Sequence, residues 1–259
     1  MSNSKSGSKT ETKNSDDIYL FVLSPPYQGS TILLKLLSSS PNISTLLGYK
    51  NWAGEGQWLL MRSGKIPNYW KNRWDPNYKL NMRRLSEVYH KYWKKKTTSN
   101  PNKRIYCEKS PPNICRADRY KRFFEKKGKV YFISLIRDPY CCRYSAREWI
   151  KYATFQKKNL NEIPAEQHLT LTYEELCDHT IPTIEKILKF KPELESLNPE
   201  ITIVKGINKD NQRSQRITNM NRPRNIEKRT KILKNHLPLL ETFKYNLRSI
   251  QSNQFKSSF

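Results

Sequence analysis

Acidic side chains are scarce in this sequence: 23 Asp and Glu stand against 48 Lys and Arg in 259 residues, a formal charge of +25. That excess favours an anionic partner (nucleotide, sulfated or phosphorylated substrate, nucleic acid or lipid headgroup) without choosing among them. Long apolar runs are also missing. No stretch of 18 or more apolar residues exists, which excludes a transmembrane helix. The five cysteines, Cys107, Cys115, Cys141, Cys142 and Cys177, show no CxxC spacing. A zinc site or disulfide framework is therefore not expected, and a reducing compartment is. His90, His168, His179 and His236 form no HxxxH or HExxH pair and read as surface or packing residues, so no metal is expected. No period supports a collagen-like, repeat or coiled-coil chain.

Hydrophobic residues reach only 36%, but aromatics reach 12% and the apolar residues cluster in runs, so a packed core is within reach. Residues 1–17 are polar and carry no apolar signal-peptide segment, so they read as a disordered leader. Residues 18–250 read as one domain and 251–259 as a flexible tail. A soluble, cytoplasmic or otherwise intracellular protein is expected, and the Lys/Asn/Ile-rich usage suits an AT-rich microbial or viral genome.

Residues 18–24 (IYLFVLS) and 130–136 (VYFISLI) form almost wholly apolar runs, as buried strands of a parallel sheet do. Shorter strands are expected at 43–47, 105–107 and 168–172. Helices are expected after the first strand, at 79–96, 114–127, 139–152, 173–177, 180–190 and 232–247, with 205–229 a basic loop. Alternating strands and helices predict an α/β fold with a central parallel sheet flanked by helices. Anions bind at the carboxyl ends of such strands.

Ser24-Pro25-Pro26-Tyr27-Gln28-Gly29-Ser30-Thr31 joins the first strand directly to a helix. Its backbone N–H groups can converge on a phosphate, aided by the helix dipole, and the Ser30 and Thr31 hydroxyls can add hydrogen bonds. It is not a Walker A loop, because no lysine follows Gly29. The second long strand ends in Arg137-Asp138-Pro139, with Ser145 eight residues after Arg137. An arginine there can grip a phosphate with its fork of donors.

Together these segments resemble the sulfotransferase family. Pro26 to Thr31 is similar to the family loop that binds the 5′-phosphosulfate of PAPS (3′-phosphoadenosine 5′-phosphosulfate). Arg137 to Ser145 is similar to the segment that binds the 3′-phosphate. Glu108-Lys109-Ser110-Pro111, Tyr173-Glu174-Glu175-Leu176 and the C-terminal LPLLETFKY stretch follow in family order, so the resemblance spans roughly residues 18–247. It implies a P-loop-like sulfotransferase fold of the carbohydrate or tyrosylprotein type, with PAPS as cosubstrate, 3′,5′-ADP as product and no metal. Cofactor contacts then fall to Pro26, Tyr27, Gln28, Gly29, Ser30, Thr31, Arg137, Ser145 and, from the late basic cluster Arg213, Arg216, Arg222 and Arg224, to Arg216. One departure stands out. The family's Arg or Lys in the loop is here Tyr27, which offers only a neutral hydrogen bond.

Sulfonate transfer needs positioning and charge stabilisation more than covalent help. Glu55, between two glycines, is the candidate general base, and Lys109, at a strand end beside rigid Pro111-Pro112, the candidate cation. Glu174 is expected to pair internally with an arginine. The acceptor is read as carbohydrate, for which Trp52, Trp58, Tyr69, Trp70 and Trp74 could supply stacking faces, or a tyrosyl peptide. Two alternatives stay open: a degenerate PAPS-binding protein without activity, and a basic nucleic-acid-binding protein. The second lacks any RNP, zinc-finger or helix-turn-helix pattern and is not favoured. A nucleotide kinase would need the missing Walker A lysine.

Overall fold

The computed structural model describes residues 16–48, 53–97, 104–203 and 222–248. Five parallel strands form one sheet in the order β2-β3-β1-β4-β5. They are β1 (Ile18–Leu23), β2 (Ile43–Thr45), β3 (Ile105–Lys109), β4 (Lys129–Ile136) and β5 (His168–Thr172). The helices are α1 (Ser30–Leu37), α2 (Gly56–Ser63), α3 (Tyr69–Asn72), α4 (Met82–Thr97), α5 (Ala117–Phe124), α6 (Ala146–Glu162), α7 (Tyr173–Asp178), α8 (Thr180–Phe190), α9 (Glu200–Ile203), α10 (Pro223–Leu233) and α11 (Leu237–Thr242).

β1 is buried at every position because helices cover both faces of the sheet. Its side chains alternate between two cores. Tyr19, Phe21 and Leu23 pack with residues of α2, α4 and α5, including Leu60, Tyr89, Trp93 and Phe124. Ile18, Leu20 and Val22 pack with Leu33, Leu34 and Leu37 of α1 and Ile184 and Ile187 of α8. A third cluster joins α6, α10 and α11 through Trp149, Ile226, Leu233 and Phe243. β1 lies between β3 and β4, so the chain reverses its direction of travel across the sheet there. Crevices at such reversals are where α/β sheets bind ligands.

Three expected elements differ. The helix read after Pro139 begins at Ala146, because Ser145 and Glu148 form a capping box that fixes its start, while Cys141 N–H closes a turn on the Asp138 carbonyl at 3.0 Å. The helix read over 114–127 divides into a 3-10 turn at Pro111–Cys115 and α5, where two prolines cannot supply helical N–H groups. The last helix divides likewise: α10 opens inside the expected basic loop with Pro223 in its first turn, and Pro238 opens α11. Among the described residues no helix is long and apolar enough to cross a membrane.

Candidate active site

Three strands deliver side chains to one place at the carboxyl edge. Strand register puts Lys109 level with Val22, at the foot of the loop that follows β1. Tyr27 and Gly29 both take left-handed backbone conformations, φ 59° and 89°, which turn the chain sharply into α1. No side chain caps α1. The Ile32 N–H bonds the Gly29 carbonyl at 2.9 Å, so what α1 offers at this edge is the Ser30 and Thr31 N–H groups and its positive dipole end. A Cβ at Gly29 would fall 2.3 Å from the Tyr173 ring, so glycine is required there for φ and for the approach of Tyr173.

Lys109 is 1% exposed, and its Nζ lies 2.8 Å from Glu55 Oε1 and 3.2 Å from Thr31 Oγ1. Burial pulls the Lys109 pKa below the ordinary lysine value, and Glu55 opposes that pull. Glu55 itself is held through Oε2 by Trp58 Nε1 at 2.9 Å and by Gln57 Nε2. Beneath it, wholly buried Glu108 accepts hydrogen bonds from Gly56 N–H at 2.9 Å and from Ser110 and Asn113. Desolvation pushes the Glu108 pKa up to about 7 against those donors. Glu108 therefore anchors the segment that presents Glu55, and the buried pair Glu55–Lys109 joins β3, α2 and the first loop.

On the other flank, Arg137 leaves β4 with its guanidinium 4.2 Å from the centre of the Tyr173 ring. Its Nε is buried and has no hydrogen-bond partner. A buried, unpartnered donor beside an uncapped helix start fits an anionic ligand. Ser145 is differently occupied: its Oγ exchanges hydrogen bonds with Glu148 at the head of α6. Arg229, from α10, grips the turn between them by donating to the carbonyls of Cys142 at 3.1 Å, Tyr144 at 2.9 Å and Pro139.

Neither a protein-family model nor a curated protein sequence matches the chain. Solved structures do. A sulfotransferase from Mycobacterium avium superposes with a TM-score of 0.54 at 13% identity, over 90% of this chain and 78% of that one. A sulfotransferase from Alicyclobacillus acidocaldarius gives 0.50 at 14% identity, over 90% and 98%. The fold is that of the sulfotransferases.

Within this sulfotransferase fold Thr31, Lys109 and Glu55, from the first loop, the end of β3 and the head of α2, meet directly, and Arg137 from the end of β4 reaches the Gly29 turn through the Tyr173 ring. Gln28 takes no place in the crevice. It is fully buried, its Oε1 accepting the Arg137 N–H at 3.0 Å and its Nε2 donating to Tyr144 OH and to Cys142 Sγ at 3.4 Å. It ties the two loops together. Tyr27, by contrast, is 63% exposed. Arg213, Arg216 and Trp52 lie outside the described residues, and Arg222 and Arg224 are exposed. Among the described residues Glu174 pairs with no arginine. Its carboxylate accepts Tyr245 OH at 2.9 Å and Asp138 N–H at 3.1 Å, while Arg248 pairs with the Asp138 carboxylate.

Of the tryptophans read as sugar platforms, Trp58 and Trp70 pack together with tilted rings at 4.8 Å and Trp74 packs on Tyr152 at 5.2 Å, while Tyr69 is core. His90 sits among Tyr19, Trp93 and Tyr106, and His168, at the start of β5, bonds Ser134 of β4. Sequence reasoning missed Gln57, Tyr173 and Arg229, and it read Gln28 as an anion contact and Trp58 as a sugar platform; the partners of Gln28, Gln57, Tyr173 and Arg229 lie far away in the chain. Only Tyr173 carried a signal, as the first residue of its motif.

Proposed function

We propose that the chain transfers a sulfonate group from PAPS to a hydroxyl of a carbohydrate or tyrosyl-peptide acceptor. The observation that carries the reading is the chain Thr31–Lys109–Glu55, 3.2 and 2.8 Å across its links, set at the mouth of the first loop. A cation and a carboxylate held next to an anion-binding loop suit in-line displacement, which needs charge stabilisation and a proton acceptor.

The unpartnered Nε of Arg137 and the uncapped start of α1 fit the two anionic ends of that cosubstrate. The loop from Pro26 to Thr31 would hold the phosphosulfate end, with Gln28 acting only to tie that loop to the second one, Arg137 and Ser145 would hold the 3′-phosphate, and Arg216 would add to the nucleotide pocket. When bound, PAPS supplies the sulfonate: the acceptor oxygen bonds to sulfur, the bond from sulfur to the phosphate oxygen breaks, and 3′,5′-ADP leaves with that electron pair. Glu55 takes the hydroxyl proton. Protonation cancels the negative partner of Lys109, leaving its ammonium unbalanced beside Thr31. Positive charge thus appears at the loop while negative charge grows on the leaving oxygen.

The test is nucleotide discrimination. 3′,5′-ADP should stabilise the protein more than 5′-AMP at equal concentration; at about 100 times its dissociation constant its gain over the free protein is about 2.7 kcal/mol. Arg137→Ala should erase the difference between the two. Equal stabilisation of the wild type by both nucleotides would remove the PAPS reading, and salt-sensitive retention on DNA would replace it with a nucleic-acid-binding one.

A further inference from the structure

The loop after β1 contains no charged side chain between Ser24 and Gly29, and the nearest buried cation, Lys109, is balanced by Glu55. One cation nevertheless lies against that loop. The guanidinium of Arg143 sits 4.6 Å from the centre of the Tyr27 ring, within the range of a cation–π contact. Both residues are solvent-exposed, and their sequence neighbours explain how they meet: Gln28 and Tyr144, one residue further along each loop, form the hydrogen bond beneath them. The Tyr27 φ of 59° keeps the ring turned outward while the chain bends into α1.

We propose that Arg143 is the cation of the first loop, supplied from the second loop and seated on Tyr27 as on a plate. The assignment rests on the PAPS reading above. A tyrosine cannot neutralise charge on a leaving phosphate oxygen, but its ring can hold a guanidinium that does, and the stacked face leaves the planar fork of N–H donors free to turn to the anion. The loop thereby keeps a positive charge although its own cation position holds Tyr27. The arrangement also couples the two loops, because the charge arrives only when the segment after Arg137 is in place. Arg143 would act on the phosphosulfate end, Arg137 on the 3′-phosphate.

Turnover and binding of 3′,5′-ADP, 5′-AMP and inorganic pyrophosphate decide the matter in a small set of variants. Arg143→Ala should lower turnover by about 10²-fold, as loss of one oxyanion donor does, and weaken pyrophosphate binding about tenfold or more. Preference for 3′,5′-ADP over 5′-AMP should stay as in wild type, since Arg137 remains. Tyr27→Phe, which keeps the ring, should retain most of the turnover that Tyr27→Ala loses. Adding Tyr27→Arg to Arg143→Ala should recover at least part of the loss by putting the cation on the loop itself. Unchanged pyrophosphate affinity in Arg143→Ala, or equal losses in Tyr27→Phe and Tyr27→Ala, would overturn the assignment. A wild type that does not distinguish the two nucleotides would sink the PAPS reading instead, and pyrophosphate would still decide the role of Arg143.

Discussion

On the β3 side of the site a lysine and a carboxylate balance each other in a covered pair; on the β4 side two guanidiniums, half-buried Arg137 and exposed Arg143, have no carboxylate partner among the described residues. Lys109 and Glu55 neutralise each other at 2.8 Å under a loop with no charge of its own. Arg137 and Arg143 instead rest on tyrosine rings, at 4.2 and 4.6 Å. A buried ion pair is rigid, and removing one partner is costly because the other is left uncompensated. A guanidinium on an aromatic face is held weakly and keeps its donors for a ligand. The difference separates two tasks: the β3 side is suited to chemistry that must be poised beforehand, the β4 side to recognition.

The strongest way to break that contrast is at the pair itself. Glu55→Gln should lower turnover by about 10²–10⁴-fold while 3′,5′-ADP affinity stays nearly intact. Lys109→Ala should also cut turnover strongly and reduce nucleotide affinity much less. Single-turnover rates set beside nucleotide titrations check both. A Glu55→Gln protein with full activity would make the carboxylate a mere counter-ion.

The two sides should also answer to pH with opposite signs. Glu108, under the β3 side, has its folded pKa pushed up to about 7 by desolvation. Its contribution to stability is full below the unfolded value and is lost as pH rises towards 7. His168, at the start of β5 beside β4, is held down at about 4 by burial, so its contribution is full above its unfolded value and is lost as pH falls towards 4. Each amounts to roughly 3 kcal/mol, and in the wild type they largely offset each other between about pH 4.5 and 6.5. Glu108→Gln should therefore make stability rise with pH across that window, and His168→Gln should make it fall. Urea midpoints at a series of pH values read the slopes directly. Parallel slopes in the two variants would refute the opposition.

A smaller effect is expected at the joint between the sides. Gln28→Leu removes the acceptor for the Arg137 N–H and the partner of Tyr144, leaving polar groups buried and unpaired. The cost should be about 1–3 kcal/mol of stability. Because Gln28 sets where the second loop stands, preference for 3′,5′-ADP over 5′-AMP should shrink as well. Lost stability with the preference intact would make Gln28 a packing residue only.

Much of this plan is legible in the sequence. β1 and β4 announce themselves as apolar runs, β5 and α8 match their expected bounds, and the loops between Pro26 and Thr31 and between Arg137 and Ser145 fall at strand ends as their motifs require. Glu55 and Lys109, 54 positions apart, were each readable as a local pattern, yet only the register of β3 against β1 brings them together. Gln28 was misjudged for a physical reason. A polar residue in an anion loop reads as a donor to the anion, and nothing local reveals that a distant Tyr144, Cys142 and backbone N–H will consume it. The start of α6 was misplaced because Pro139 is equally at home in a turn, and the decisive signal, Ser145 with Glu148, lay further on.

That same capping box sets the smallest effect and tests how open the β4 side is. Ser145 was read as a donor to a phosphate, but its Oγ donates to Glu148 Oε2 at 3.1 Å and accepts from Glu148 N–H at 3.2 Å. To meet an anion the hydroxyl must turn from a carboxylate, so its net gain on binding is the difference between two charge-assisted bonds, a small quantity. Its contribution as a cap is present with or without ligand. Ser145→Ala should therefore cost about 1 kcal/mol of stability, the usual size for a lost N-cap, and weaken 3′,5′-ADP less than Arg137→Ala does. Thermal unfolding with and without the nucleotide separates the two contributions. Should Ser145→Ala match Arg137→Ala in lost affinity, the hydroxyl would be a principal phosphate ligand and the capping box a resting arrangement that the nucleotide displaces.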